Sequence, residues 1–290
     1  MWLPEKRGEE LPPTADDGHN PIESGADTER QFLSGSYDRR RETRFALRIA
    51  WEFIRAFRRF RHVGPCVTVF GSARVTEDDP HYDLGRRVGS ELARAGFTVM
   101  TGGGPGLMEA ANRGAREAGG ESIGCNIDLA AEEACNRYLD TFFRFHYFFV
   151  RKVVLVKYSY AFVVLPGGLG TLDEVFETVT LMQTGKIQDF PVVLVGTDFW
   201  APLLDFLGRT LIEGGKIDRA DLDRILVTDS PEEAAAVIRH AALSRFGLAA
   251  SATRPVPRRS PLRALRVPAL PRLAWRRGRV RRAYADHGAG

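Results

Sequence analysis

Short apolar runs recur along the middle of the chain, and segments with helical periodicity separate them. The runs predict strands at 66–73, 97–103, 122–127, 161–166, 191–196 and 224–229. The other segments predict helices at 80–95, 106–118, 147–159, 171–184, 199–213 and 231–243, the last with Ser230 as its N-cap. This alternation predicts an α/β fold, a doubly wound and mostly parallel sheet with helices on both faces.

A helix of a different kind is predicted before this alternation. Residues 41–62 place apolar side chains at helical spacing among arginines: Phe45, Ile49, Phe53, Phe57 and Phe60. We expect an amphipathic helix docked on the core, with a helix lying on a membrane surface as the alternative. Residues 1–40 are rich in Pro, Gly, Asp and Glu without apolar periodicity, so we expect them to be disordered.

The end of the chain carries most of the positive charge. Residues 251–290 contain eleven arginines and one acid, Asp286, a net charge of +10. The whole chain has a net charge of +4, which leaves −6 for the other 250 residues. We therefore predict a core domain at 63–246 and a basic, proline-broken tail at 247–290. Such a tail would bind anionic surfaces weakly, and no specific nucleic-acid partner is indicated.

Composition places the chain in a broad class. With 290 residues, 44% of them hydrophobic, it can form one substantial core. It has no apolar run of about 18 residues, and its three cysteines (Cys66, Cys125 and Cys135) form no CxxC pair. The polar, acidic segment at 1–20 lacks an apolar stretch, so we do not expect it to act as a secretory leader. These features predict a cytoplasmic protein. Its six histidines lack metal-site spacing, so no metal is expected.

Glycine-rich turns follow three of the predicted strands. They read FGSAR at 70–74, TGGGPG at 101–106 and PGGLGT at 166–171. Glycine lets a backbone approach a ligand closely, and a helix that starts there points free N–H groups at an anion. The turns lack a Walker A lysine and the spacing of a dinucleotide fingerprint. They predict a site for a nucleoside monophosphate, with Gly71, Ser72, Gly103 and Gly104 among its binding residues.

Two charged residues near these turns have alternative interpretations. Thr171 and Glu174 have the spacing of a capping box, in which Thr171 caps a helix and Glu174 bonds back to it. Alternatively, the Glu174 carboxylate faces a ribose and stabilises a sugar cation or activates water. Arg151 is either an ordinary surface residue or the anchor of an anion.

Three motifs resemble those of one known family. GGGPGLMEAANRGA at 102–115, RK at 151–152 and PGGLGTLDE at 166–174 resemble the Lonely Guy (LOG) proteins, which are cytokinin riboside 5′-monophosphate phosphoribohydrolases. The resemblance covers roughly residues 64–243 and is greatest to a longer bacterial branch that begins VFGSAR after a helix. It implies a Rossmann-like fold, a homodimer or higher homo-oligomer with the site near the subunit interface, and no cofactor. The implied reaction cleaves the N-glycosidic bond of a nucleoside 5′-monophosphate, of the AMP or N6-prenyl-AMP type, to free base and ribose 5-phosphate.

The resemblance also implies roles for individual residues. Arg151 and Glu174 match the catalytic pair. The matching substrate-binding positions are Lys152, Gly167, Gly168, Gly170, Thr171 and Thr180, with Glu132 as an acid near the base. Ala130 and Glu133 stand where the longer branch usually has Pro and Gln, which leaves the preferred base open.

Two other functions are alternatives to hydrolysis. Proteins of this family are often labelled lysine decarboxylases, but that chemistry needs a lysine that forms a Schiff base with pyridoxal phosphate. Lys152 is the lysine nearest the site, and it belongs to the RK motif. A non-catalytic nucleotide or molybdenum-cofactor carrier of the same fold is the second alternative. A carrier needs the glycine turns but not the Arg151–Glu174 pair, so the pair favours hydrolysis.

Overall fold

A seven-stranded parallel sheet forms the centre of the protein. The computed structural model describes residues 39–128, 135–187 and 190–246. The strands are β1 (Cys66–Phe70), β2 (Thr98–Thr101), β3 (Ser122–Ile127), β4 (Thr141–Phe145), β5 (Ser159–Val164), β6 (Val192–Val195) and β7 (Ile225–Thr228). Their order across the sheet is β4-β3-β2-β1-β5-β6-β7, and every neighbouring pair is parallel.

Helices cover both faces of the sheet. They are α1 (Arg39–Phe60), α2 (Pro80–Arg94), α3 (Leu107–Glu117), α4 (Phe148–Tyr158), α5 (Leu169–Gln183), α6 (Thr197–Phe206), α7 (Arg219–Leu222) and α8 (Pro231–Phe246). Helices α2, α3 and α8 pack on one face, and α1, α4, α5 and α6 pack on the other. Strand β1 shows why two layers are needed, because Val67 and Val69 point into one core while Cys66 and Phe70 point into the other. The predicted Rossmann-like, doubly wound fold is confirmed.

The order of the strands locates one crevice. From β1 the chain winds outward through β2 and β3 to β4, and it then returns to place β5 on the other side of β1. The connections after β1 and β5 therefore lead to helices on opposite faces of the sheet. Ligands of such sheets bind in the crevice at this switch point. The two loops touch here, since the backbone N–H of Ser72 donates to the carbonyl of Pro166 at 3.0 Å.

Several predicted boundaries differ from the structure. Strand β4 was not predicted, because its residues TFFRF mix apolar and charged side chains at the edge of the sheet. The helix predicted at 199–213 is α6 followed by a π-helical turn, Leu207–Ile212. The helix predicted at 41–62 is present as α1, with Ala56 and Phe60 fully buried in the core. No helix among the described residues is long and apolar enough to cross a membrane.

Candidate active site

The glycine turns meet along the carboxyl edge of the sheet. Leu107 is the first residue of α3, and its backbone N–H donates to the carbonyl of Ser72, which follows β1, at 2.9 Å. Gly106 has a φ of +68°, and a Cβ atom there would lie 2.4 Å from the oxygen of Ser72. Only glycine fits this approach between the first and second turns. The predicted turn residues Gly71, Ser72, Gly103, Gly104, Gly167, Gly168, Gly170 and Thr171 therefore lie along one edge of the sheet.

A buried polar network holds the second turn from below. The side-chain oxygen of Asn112 accepts the Thr101 hydroxyl at 2.6 Å and the Asn136 amide at 3.0 Å, and its amide donates to Ser122 at 2.8 Å. The Thr101 hydroxyl oxygen accepts the N–H of Gly103 at 2.9 Å. The network thereby fixes the path of the glycine turn without presenting a charge.

Asn136 ties this network to the chain beyond β3. Its backbone N–H donates to the carbonyl of Gly103 at 2.9 Å, and its side-chain amide donates to the carbonyl of Gly104 at 3.0 Å. Sequence reasoning missed both asparagines. The available signal was Asn112 itself, a polar residue at a core position of α3 among Leu107, Ala111 and Ala115.

Glu174 lies in α5, the helix that follows the third glycine turn, and it is almost completely buried. It is 2% exposed, and it follows the start of α5 at Leu169 by about a turn and a half. Burial raises the pKa of the Glu174 carboxyl above its ordinary value, although the charges of Arg151 and Lys152 act in the opposite direction. A buried carboxylate with a raised pKa at a ligand crevice is a candidate for acid–base or charge-stabilising chemistry.

Arg151 reaches Glu174 from α4. Its Nη2 atom lies 3.5 Å from Oε1 of Glu174, and its guanidinium carbon lies 5.4 Å from the centre of the Phe148 ring. The Nε–H group of Arg151 is buried and has no hydrogen-bond partner among the residues that the structure describes. A buried donor without a partner costs free energy, so this group is suited to a ligand oxygen.

Lys152 joins α4 to α5. Its ammonium group lies 2.7 Å from Oδ2 of Asp173 and 2.7 Å from Oε2 of Glu177. Burial alone would lower the pKa of Lys152, but the bonds to Asp173 and Glu177 raise it above its ordinary value. The lysine is therefore held protonated between two carboxylates, which does not suit a Schiff-base nucleophile.

The capping-box interpretation of Glu174 is wrong. The N-cap of α5 is Gly168, which provides no side-chain cap, so Thr171 is the third residue of the helix. A Cβ atom on Gly167 would lie 2.1 Å from the Thr171 hydroxyl, so the two residues pack directly against each other. With the cap elsewhere, the Glu174 carboxylate is paired with Arg151 instead.

Comparison with known proteins identifies the family. A cytokinin riboside 5′-monophosphate phosphoribohydrolase of Rhodococcoides fascians is 31% identical over 176 residues, which are 60% of this chain and 88% of the relative. The chain belongs to the cytokinin riboside 5′-monophosphate phosphoribohydrolase family. The phosphoribohydrolase of Mycobacterium tuberculosis is 32% identical over 156 residues, 52% of this chain and 82% of that one. Residues 108–238 also match a family model described as possible lysine decarboxylase.

Two solved structures are also similar to this phosphoribohydrolase family member. A structural-genomics X-ray structure is 29% identical with a TM-score of 0.48, and the match covers 61% of this chain and 99% of the other. The molybdenum cofactor carrier protein of Chlamydomonas reinhardtii is 23% identical with a TM-score of 0.48, over 62% and 99% of the two chains.

One predicted binding residue of this phosphoribohydrolase family member lies away from the Arg151–Glu174 pair, and another lies outside the described residues. Thr180 is exposed, and its hydroxyl donates to the carbonyl of Phe176 at 2.7 Å. Six residues after Glu174, it lies about 9 Å further along α5 and about 120° around the helix. Glu132 lies outside the described residues, as does the predicted tail at 247–290. Of the segment predicted to be disordered at 1–40, residues 1–38 lie outside them too, whereas Arg39 and Arg40 are helical and begin α1.

A cavity elsewhere in the described part of this family member differs from the candidate site. A cavity of about 750 Å³ lies at the opposite edge of the sheet, where β6 and β7 begin, and it is lined by Arg224 and His240 among others. None of the three glycine turns after β1, β2 and β5 lines it, and neither does the Arg151–Glu174 pair. Among the described residues, no cluster of three or more His, Cys, Asp or Glu side chains could hold a metal ion.

Proposed function

We propose that this protein hydrolyses the N-glycosidic bond of a nucleoside 5′-monophosphate of the AMP or N6-prenyl-AMP type. The products are the free base and ribose 5-phosphate. The observation that carries the proposal is the buried Glu174 carboxylate, 3.5 Å from Arg151, beside the switch point of the sheet. The activity for which the relatives are named supports the same reaction.

The reaction builds positive charge on the ribose as the bond from C1′ to the base breaks. The bonding electron pair leaves with the base, and the oxygen of a water molecule bonds to C1′. One proton of the water passes to the base nitrogen, and the other stays on the new hydroxyl. The ionised Glu174 stabilises the sugar cation and orients the water, in a buried setting where its charge acts strongly.

The phosphate is assigned to the glycine turns at the carboxyl edge. Cβ atoms on Gly168 and Gly170 would meet no atom within 4 Å, so the space beside the start of α5 is open to a ligand. N–H groups at the start of a helix lack partners within the helix, so the start of α5 favours an anion. The unpartnered Nε–H of Arg151 supplies a further donor for a ribose or phosphate oxygen. Holding the phosphate positions C1′ against Glu174.

A homodimer is part of this proposal. Phe148, Phe149 and Val153 on α4 and Leu169 and Phe176 on α5 are exposed, with Leu169 at 86%. Apolar side chains gathered beside a polar site favour a protein interface, and a second copy of the chain is the partner we propose. Sedimentation at micromolar concentration should give twice the mass of one chain, whereas a monomer would contradict this part. The three cysteines are free thiols, which are typical of a reducing compartment, so the cytoplasm is the location we propose.

The test is a panel of nucleotides scored for ribose 5-phosphate and free base. It contains AMP, N6-prenyl-AMP, GMP and CMP, with adenosine as the matched compound that lacks the phosphate. We expect turnover of at least one purine monophosphate and little turnover of adenosine. Tight AMP binding without adenine release would favour a carrier, and equal rates on AMP and adenosine would contradict the phosphate assignment.

A further inference from the structure

Helix α1 places one buried carboxylate against the main domain. Glu52 is 9% exposed, although it lies on a helix whose other polar side chains are mostly exposed. Its Oε1 accepts the backbone N–H of His146 at 2.5 Å, and its Oε2 accepts that of Tyr147 at 3.3 Å. Burying a carboxylate is unfavourable unless its oxygens are bonded, so this placement is specific.

Those two N–H groups stand directly before α4. Tyr147 is the N-cap of α4 and provides no side-chain cap of its own. The N–H groups at a helix start lack partners within the helix, and a negative charge is favourable there. Glu52 supplies from another helix the anion that α4 lacks, since the first turn of α4 contains no acidic residue.

Aromatic contacts fix α1 along the whole of α4. The ring centres of Phe45 and Tyr147 are 5.5 Å apart at one end of α4. At the other end the Phe60 and Tyr158 rings are 5.7 Å apart. Glu52 lies between these contacts in sequence, so the two helices are held in one alignment.

Arg151 depends on the same turn. Its backbone N–H donates to the carbonyl of Tyr147 at 3.1 Å, which closes the first turn of α4. Tyr147 therefore bonds Glu52 through its N–H and Arg151 through its carbonyl. A small change at this turn would move the Arg151 guanidinium relative to the Glu174 carboxylate, and Nη2 and Oε1 of these groups are already 3.5 Å apart.

We propose that Glu52 is a positioning residue for Arg151, and that α1 is part of the support of the active site. The inference rests on the proposed function of Arg151. Residue 52 lies outside residues 108–238, the part of the chain that matches the family model.

The test compares Glu52→Gln and Glu52→Ala with the wild-type protein. The matched control is Glu42→Gln, which removes a carboxylate from the exposed start of the same helix. We expect Glu52→Gln to lower kcat/KM for AMP about 10-fold, because a small misplacement of a catalytic group is costly. Circular dichroism should be unchanged, and Glu42→Gln should match the wild type. Glu52→Asp keeps the charge and should recover part of the loss, and it replaces the other variants if they fail to fold.

Two readouts separate positioning from a general loss of stability. The first is the double-mutant cycle, in which Glu52→Gln should have little further effect once Arg151 is alanine. The second is the pH profile. The charged groups that act on Glu174 are Arg151, Lys152, Glu177 and Asp173, and a displaced Arg151 would lower the Glu174 pKa less. The acid limb of kcat should therefore move to higher pH in Glu52→Gln.

The possible failures are distinguishable. Suppose that the wild type hydrolyses AMP. The inference is overturned if Glu52→Gln has wild-type activity, or if Glu52→Gln lowers activity by the same factor in the Arg151→Ala background as in the wild type. If the wild type hydrolyses no nucleotide of the panel, the proposed function fails. In that case the affinity for AMP is measured by calorimetry on the four proteins of the cycle. If the effects of Glu52→Gln and Arg151→Ala on affinity add, Glu52 does not act through Arg151; if they do not add, the inference is supported.

Discussion

Replacement of Asn112 by alanine tests how the glycine turn is held. The side chain is fully buried in α3 and takes part in three hydrogen bonds, with Thr101, Ser122 and Asn136. Alanine fits the helix but removes both the acceptor and the donor. The partners stay buried, so they cannot exchange the lost bonds for bonds to bulk water.

The expected cost follows from these contacts. Thr101 keeps the bond from Gly103, and Asn136 keeps its bond to Gly104, so neither is left wholly unsatisfied. We therefore take the lower part of the range, about 1 kcal/mol for each bond, and expect a loss of about 3 kcal/mol. For a domain of this size that corresponds to a fall in Tm of about 6–12 °C.

The assay is thermal unfolding followed by circular dichroism, with Ser122→Ala as a graded comparison. Ser122→Ala removes a single partner of Asn112 and should lower Tm by about 2–4 °C. The KM for AMP should also rise in Asn112→Ala, because Thr101 and Asn136, which bond to the glycine turn, both lose the Asn112 contact that holds them in place. A fall in Tm no larger than that of Ser122→Ala would refute the reasoning, since the three bonds would then not act together.

Two further predictions concern charge. Burial raises the pKa of Glu174, so its contribution to stability is complete below the pKa of the unfolded chain and is lost as pH rises through the higher pKa of the folded state. Glu174→Gln should therefore melt above the wild type at pH 7.5 and lose this advantage near pH 4, and a lower Tm at pH 7.5 would show that Arg151 outweighs burial. Deletion of residues 251–290 should leave AMP hydrolysis intact and remove any salt-sensitive binding to anionic vesicles or DNA, because eleven arginines lie there. A large loss of turnover in a folded truncated protein would place the tail in the active assembly.

The fold was largely predictable because burial on both faces leaves a clear pattern. Strands such as Val192–Val195 are apolar throughout, and each is bounded by turn residues. Ser230 was expected to cap α8, and its hydroxyl accepts the N–H of Glu233 at 3.1 Å. Strand β4 escaped because it lies at the edge, where one of its neighbours is missing and Arg144 is tolerated.

The site was predictable in its residue types but not in its contacts. The glycine turns and the acid at 174 stand out in one segment of sequence, whereas the partner of Glu174 comes from another helix. The capping-box spacing could not reveal that α5 begins at Leu169, because that start depends on the turn after β5. The contact of Glu52 with the start of α4 joins residues 94 and 95 positions apart, and no local pattern encodes such a pairing.

The central claim is that the Glu174 carboxylate acts in cleavage of the N-glycosidic bond. The most direct measurement is kcat for adenine release from AMP by Glu174→Gln, beside the wild type and Glu213→Gln, which changes an exposed glutamate far along the chain. We expect Glu174→Gln to fold normally and to lose at least about 100-fold in kcat, while Glu213→Gln keeps wild-type turnover. Wild-type turnover by folded Glu174→Gln would contradict the claim.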